Sequence, residues 1–379
     1  MDLKYFLIII VLILISNMNS IITVRSSGNI IYNYIVQNYS NVSLIYVLTG
    51  IVTNLGDESI IINQTDIMYF DYPLNTEDQI VHRINAFVNN IEYNYSIIDS
   101  NGKKYLYIDS PYSNGILNQG EYINVSVRYV VRIDMAKRIE NIIDFMKVDD
   151  PYVLINKAGQ WSDLEQYINE TTTGLTSLWN YTNPLIKLLA KYINRTVGRN
   201  NPFSYLINIL NWIDNSIIYS TRVPPRYPWE VIVEGAGDCD DQSNLLITIL
   251  RSFKIPCFLE IGVVYVGETY YLKRSVAEGY FNYEFIGGGG HGWIVVYIPP
   301  WGWIRVDPIV RENPFTGRRE PLYKIGIKYA LFYILPTVVL ERVFEKDYVE
   351  ESVRSIEEIR NRRIKIDLTL EVYRIDELD

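Results

Sequence analysis

Cysteine and histidine are the scarcest chemistry-bearing residues in this chain: two Cys (Cys239, Cys257) and two His (His82, His291) among 379 residues. That count excludes zinc-finger arrays, iron–sulfur clusters and disulfide-dense scaffolds. A dense Lys/Arg run is also missing. With 35 basic against 44 acidic residues the formal charge is −9, so no basic face for nucleic acid is expected. Long apolar runs are scarce too. Tyr5–Ile15, preceded by Lys4, spans about 16 Å as a helix, half of a ~30 Å bilayer core. Residues 1–20 are therefore read as a signal peptide or, continued through Ile21-Ile22, an uncleaved N-terminal anchor. The apolar stretch Tyr329–Leu340 contains Pro336 and reads as core.

What is present suits a packed protein of two or three domains. Apolar residues make up 48% and charged residues 21%, which rules out global disorder. The 32 Tyr come with abundant Ile and Asn. They read as AT-rich codon usage, not as an aromatic binding surface. Asn-X-Ser/Thr acceptors begin at Asn38, Asn41, Asn63, Asn94, Asn124, Asn169, Asn180 and Asn194. All precede residue 200. Against simple Asn bias, they are read as the glycosylated surface of a secreted or surface-anchored chain.

The hydrophobic period divides the chain. Residues 21–134 read as a β-sandwich domain. Runs such as Ile30–Val36, Ser43–Leu48 and Tyr122–Val130 alternate or are β-branched, and turns separate them at Asn54–Asp57, 100–102, Ser113–Gly115 and Asn118–Gly120. Residues 135–379 form the second unit. Its helical lead, 135–225, carries Leu185, Leu188, Leu189 and Ile193 after Pro184, then Leu206, Ile209, Leu210 and Ile213 after Pro202. A core at 226–335 follows. Its helix presents Leu245, Leu246, Ile249, Leu250 and Phe253, with strands at Phe258–Val266, Trp293–Ile298 and Trp303–Val306. Residues 336–379 hold a charged helix and the alternating strand Ile364, Ile366, Leu368, Leu370, Val372. The fold class expected is thus α+β.

Three segments of that core carry chemistry. In Gly235-Ala236-Gly237-Asp238-Cys239-Asp240-Asp241-Gln242-Ser243, Asp238 can cap a helix whose first turn holds Cys239. Unpaired N–H groups and the helix dipole there favour thiolate. Carboxylates of Asp238, Asp240 and Asp241 close to sulfur would oppose it, so they are expected to point toward solvent or neighbouring strands. Gly287–Gly290 precede His291-Gly292-Trp293, and Trp301-Gly302-Trp303-Ile304-Arg305-Val306-Asp307-Pro308 follows. Folded as a hairpin about Pro299–Gly302, His291 and Asp307 become cross-strand neighbours. A carboxylate so placed holds an imidazole tautomer, leaving the second nitrogen to face Cys239.

These motifs, with Arg251-Ser252-Phe253-Lys254-Ile255-Pro256 between them, resemble the transglutaminase-like superfamily of papain-type cysteine enzymes over about residues 200–310. The archaeal and bacterial cell-surface members are the nearest in layout. The resemblance implies Cys239 as nucleophile, His291 as general base and acid, and Asp307 as the orienting acid. It also implies a thiol enzyme acting on amide or peptide bonds of a protein or peptide substrate, cell-surface substrates included. Asp240 stands where vertebrate transglutaminases commonly carry Trp, so water is favoured over a lysine as acyl acceptor. The Cys239 N–H is the expected oxyanion donor. The opposing reading is a catalytically inactive binding or surface-structural protein on the same scaffold.

The remaining candidates have plainer readings. Cys257 opens an alternating strand and reads as core. A 239–257 disulfide is excluded by about 20 Å of intervening helix. His82 has no partner motif. The glycine run lacks the Lys-Ser/Thr of a phosphate loop; a lid or a site of close backbone approach and a plain loop both stay open. Glu234 with the three aspartates reads as helix-terminus charge complementarity, not a metal site. Trp293, Trp301 and Trp303 read as core. No cofactor and no nucleic-acid partner is expected, and contact with a membrane only through the N-terminal segment.

Overall fold

The computed structural model describes residues 41–375 apart from 66, 101 and 102. The apolar N-terminal run, the strand expected at 30–36, the Asn38 acceptor and the turn at 101–102 lie outside the described residues. The architecture is mixed α+β.

The β-rich part is built from β1 (Val42–Asn54), β2 (Gln79–Val88), β3 (Ile91–Tyr93) and β4 (Tyr122–Ile133). Next come two helices of the lead, α1 (Pro184–Thr196) and α2 (Pro202–Ser216). Each has Pro at its first position and an Asn cap, Asn183 or Asn201. The short α3 (Pro228–Glu234) leads into α4 (Cys239–Ser252). Then follow β5 (Cys257–Tyr265), β6 (Tyr271–Val276), β7 (Phe281–Ile286), β8 (Gly288–Ile298), β9 (Gly302–Val306) and β10 (Thr337–Val343). The chain closes with α5 (Tyr348–Arg362) and β11 (Ile364–Ile375).

Two sheets organise these elements. The larger has seven strands in the order β6-β7-β11-β1-β4-β2-β3. It therefore draws on both sides of the 134/135 division that the change of hydrophobic period suggests. β1 buries every second residue from Val42 to Asn54, and its antiparallel partner β11 does the same with Ile364, Ile366, Leu368, Leu370 and Val372. Matching period-two patterns put both apolar sets on one face. The hairpin β6–β7 joins the same sheet through a parallel pairing of β7 with β11. The smaller sheet has the order β9-β8-β5-β10, and α4 packs against its central strand β8.

Side chains join the two sheets at the edge strand β10. The Gln79 amide acts as an extra rung, accepting the Val339 N–H at 2.7 Å and donating to the Val339 carbonyl at 2.9 Å. Arg138, fully buried, bonds to Asp78, to the Thr337 carbonyl at 2.6 Å and to Gln79 Oε1 at 3.2 Å. Lys103 bridges Asp71 at 2.9 Å and Glu341 at 2.7 Å. Removing a buried cation strands its carboxylate partner. Arg138→Ala is thus expected to cost about 3–5 kcal/mol in denaturant unfolding. A loss below about 1 kcal/mol would mean the junction holds without it.

Candidate active site

The site begins with a change of backbone direction. Gly235 ends α3 in the left-handed region (φ 62°), and Asp238 is extended (φ −91°, ψ −157°) before Cys239 opens α4. The Asp241 carboxylate accepts the Asp238 N–H at 3.3 Å. Every residue from Cys239 to Arg251 is buried. The sequence suggested a helix with one apolar face; the polar face is covered as well.

Strand β8 sets His291 opposite Gly262 and Gly292 opposite Ile261 of β5. Its pairing with β9 ends at Ile294 opposite Val306. Asp307 follows at once, on the diagonal from His291 rather than directly across. His291 Nε2 lies 2.8 Å from Asp307 Oδ2. The same Oδ2 accepts the Leu331 N–H at 3.2 Å, and Oδ1 accepts that of Ile309 at 3.3 Å. These contacts fix the carboxylate. His291 Nδ1 is buried and has no hydrogen-bond partner. Helix α4 crosses β8 beside it. The Gly292 N–H bonds to the Cys239 thiol, and Ser243, one turn on, donates to the Gly292 carbonyl at 3.4 Å. Cys239, His291 and Asp307 are each 0% exposed.

Two expectations are corrected here. Burial drives the Cys239 thiol well above its usual range, helped by the charges of Asp240 and Asp238, and the Gly292 N–H opposes this. Desolvation therefore outweighs the helix terminus that was expected to favour thiolate. Of the two places expected for the acids, solvent is excluded, with Asp238, Asp240 and Asp241 1%, 1% and 0% exposed, while Asp238 does stand near Tyr283 of a neighbouring strand. Burial and its acidic neighbours raise Asp238 well above the carboxylate range, and Asp240 is pushed up to about 7. Burial also raises Asp241, against Arg226, whose Nη1 lies 2.8 Å from Asp241 Oδ2.

Several residues of this site carry no motif signal. The Tyr348 hydroxyl, from the start of α5, donates to Asp240 Oδ2 at 3.0 Å and also meets Asn244. Trp179 Nε1 donates to Asn244 Oδ1 at 2.9 Å. Gln242 donates to the Gly237 carbonyl at 2.7 Å and accepts from Arg311 at 2.9 Å, which ties the loop after Asp307 to α4. Tyr270, just before β6, lies close enough to feel the charge of Cys239. Tyr283 of β7 stands likewise to Asp238. Only the Gln242 position could have been picked out, as part of the GDCDDQS run.

The other candidates fall where packing puts them. Cys257 is buried at the start of β5, its thiol pushed up to about 12 by burial, and neither cysteine is in a disulfide. His82 is exposed at an irregularity of β2. The glycine run is strand rather than loop, with backbone in close approach. A Cβ on Gly288 would sit 2.1 Å from the Val264 carbonyl oxygen, and one on Gly287 (φ 74°) would sit 2.0 Å from that of Val372. Trp293 is buried and donates to Glu260 at 2.9 Å. Trp301 packs on Phe145 and Phe203, and Trp303 on Phe258. Glu234 pairs with Arg222 and Arg226, outside the aspartate cluster.

Residues 190–308 match the model of the transglutaminase-like superfamily, so the chain carries a transglutaminase-like domain. No curated protein matches it. Among solved structures it is similar to a candidate cysteine protease from Cytophaga hutchinsonii, at 14% identity over 90% of this chain and 93% of that one, TM-score 0.47. It is also similar to red sea bream transglutaminase, at 11% identity over 78% and 63% of the chains, TM-score 0.28. A third likeness is to a candidate protease from Parabacteroides distasonis, at 7% identity over 77% and 65%, TM-score 0.25.

The raised Asp240 sets a pH dependence. Stability from a group raised on folding is full below its unfolded value, about 3.9 for Asp. It is lost as pH rises through the folded value, about 7. Asp240→Asn, uncharged and of equal size, should flatten this slope. Between about pH 5 and 8 its Tm should change less than that of the wild type. Equal slopes would place the titration elsewhere.

Proposed function

We propose that this chain is a thiol hydrolase of amide bonds in a protein or peptide substrate, working through Cys239, His291 and Asp307. The buried His291–Asp307 contact at 2.8 Å, beside the first turn of α4, supports this reading most strongly. The Cys239 thiol gives its proton to His291 Nδ1 as sulfur attacks the carbonyl carbon. Asp307 stabilises the imidazolium through Nε2–H, and the Cys239 N–H holds the oxyanion. The C–N bond then breaks, and the leaving amine takes the proton from Nδ1. Water, deprotonated by the same nitrogen, releases the acid and restores the thiol. With Cys239 at 0% exposure, turnover requires a covering segment to move aside, and Tyr270 is a neighbour of the thiol that could do so.

The setting belongs to the same proposal. The N-terminal segment directs the chain out of the cell or anchors it at the surface. The acceptors Asn41, Asn63, Asn94, Asn169, Asn180 and Asn194 are exposed and Asn124 is half-buried, as carriers of glycans would be.

A second reading, a binding or structural protein without turnover, is favoured by one observation: the thiol is sealed from water and held protonated. Thiol reactivity separates the two. In the enzyme, iodoacetamide labels Cys239 with a pH profile set by His291, and His291→Ala abolishes that profile. Asp307→Asn lowers kcat roughly 10²–10⁴-fold while the fold is kept. Equal slow labelling of wild type and His291→Ala would leave only the non-catalytic reading.

A further inference from the structure

We infer that Asp238, Asp240 and Asp241 form a binding site for one hard divalent cation of the calcium, magnesium or manganese class. One carboxylate oxygen from each lies within 4.8 Å of the others. Two oxygens that share a calcium at 2.3–2.6 Å stand at most about 5 Å apart, so the three suit a single ion.

Proximity alone would not argue for a ligand. The second observation is that Asp238 Oδ1 and Asp240 Oδ1 are buried with no partner outside the carboxyl groups of the cluster itself. Buried carboxylate oxygens without donors are costly, and native interiors rarely leave them so. The other oxygens are served. Asp240 Oδ2 accepts from Tyr348, and Asp241 accepts from the Arg226 N–H at 2.7 Å and from its guanidinium at 2.8 Å. The bare pair thus marks where a further positive group is called for.

Charge points the same way. Arg226 is the cation bonded to the cluster. With all three carboxyls ionised, they and the guanidinium would carry two negative charges, which one divalent ion neutralises in place of the protons that burial otherwise holds there. The positive end of α4 opposes a cation, but with about half a charge it is outweighed. The donors are all oxygen. Among the described residues, the Cys239 sulfur and the imidazole nitrogens stand outside the cluster. An all-oxygen donor set selects calcium, magnesium or manganese over zinc.

The inference goes beyond the catalytic reading and does not depend on it. Terbium serves as a luminescent stand-in for a hard cation on the full, chelator-treated chain. Tyr348, with its hydroxyl 3.0 Å from Asp240 Oδ2, is the sensitiser. Luminescence should saturate near one equivalent, fall as calcium is added, and persist in His291→Ala. Emission lifetimes in light and heavy water should count fewer bound waters than a surface ion keeps. Asp240→Asn should weaken binding at least about tenfold. Tyr348→Phe should keep calorimetric binding but dim the emission. The surface variant Glu357→Gln should match the wild type. A folded chain that binds none of these cations, a fully hydrated ion, or unchanged affinity in Asp240→Asn would overturn the site. In that case the two bare oxygens share protons only.

Discussion

A helix buried from Cys239 to Arg251, with two carboxylates, a third at its cap, two amides, a guanidinium and a thiol, dictates much of what surrounds it. Each buried polar group on α4 needs a partner, because leaving one bare costs on the order of 1–3 kcal/mol, more for a charge. Arg226 answers Asp241, and Tyr348 answers Asp240. Arg251 donates to the carbonyls of Gly174, Thr171, Cys257 and Phe344, with its guanidinium 4.1 Å from the Trp179 ring. Those partners come from the helical lead, from the loop before α3, from β5, and from the start of α5 and the segment before it. Helix α4 is thus held by parts of the chain far apart in sequence, which answer its buried polar groups.

The local chemistry was legible because it is local. Asp238, Cys239 and the helix after them follow from caps and period. The His291–Asp307 contact follows from a hairpin whose two arms match in length. The sign of the electrostatics was not legible. Whether Asp240 meets water or Tyr348 depends on where residue 348 arrives, and no spacing near 240 encodes that. The same holds for the sheet. The strict alternation of residues 364–372 marks a half-buried strand, but its neighbours β1 and β7 are fixed by tertiary fit. The hairpin β6–β7 was missed because Lys273, Arg274 and Ser275 break the apolar pattern on its outer strand.

Charge burial recurs at the junction of the two sheets. Arg138 and Gln79 use side chains where a strand would use its backbone, giving the open edge of β10 partners of defined geometry. An unprotected edge invites pairing with another chain. The same contacts set the angle between the β-rich part and the transglutaminase-like domain.

The place of β11 has a consequence in time. It lies between β1, the first described strand, and β7, so the middle of the larger sheet is filled only once residues 364–375 have been made. Until they arrive, β1 and β7 each present a bare edge. Closing a loop of some three hundred residues is a slow, high-contact-order step. The larger sheet therefore has no continuous ladder from β7 to β1 until residues 364–375 are in place.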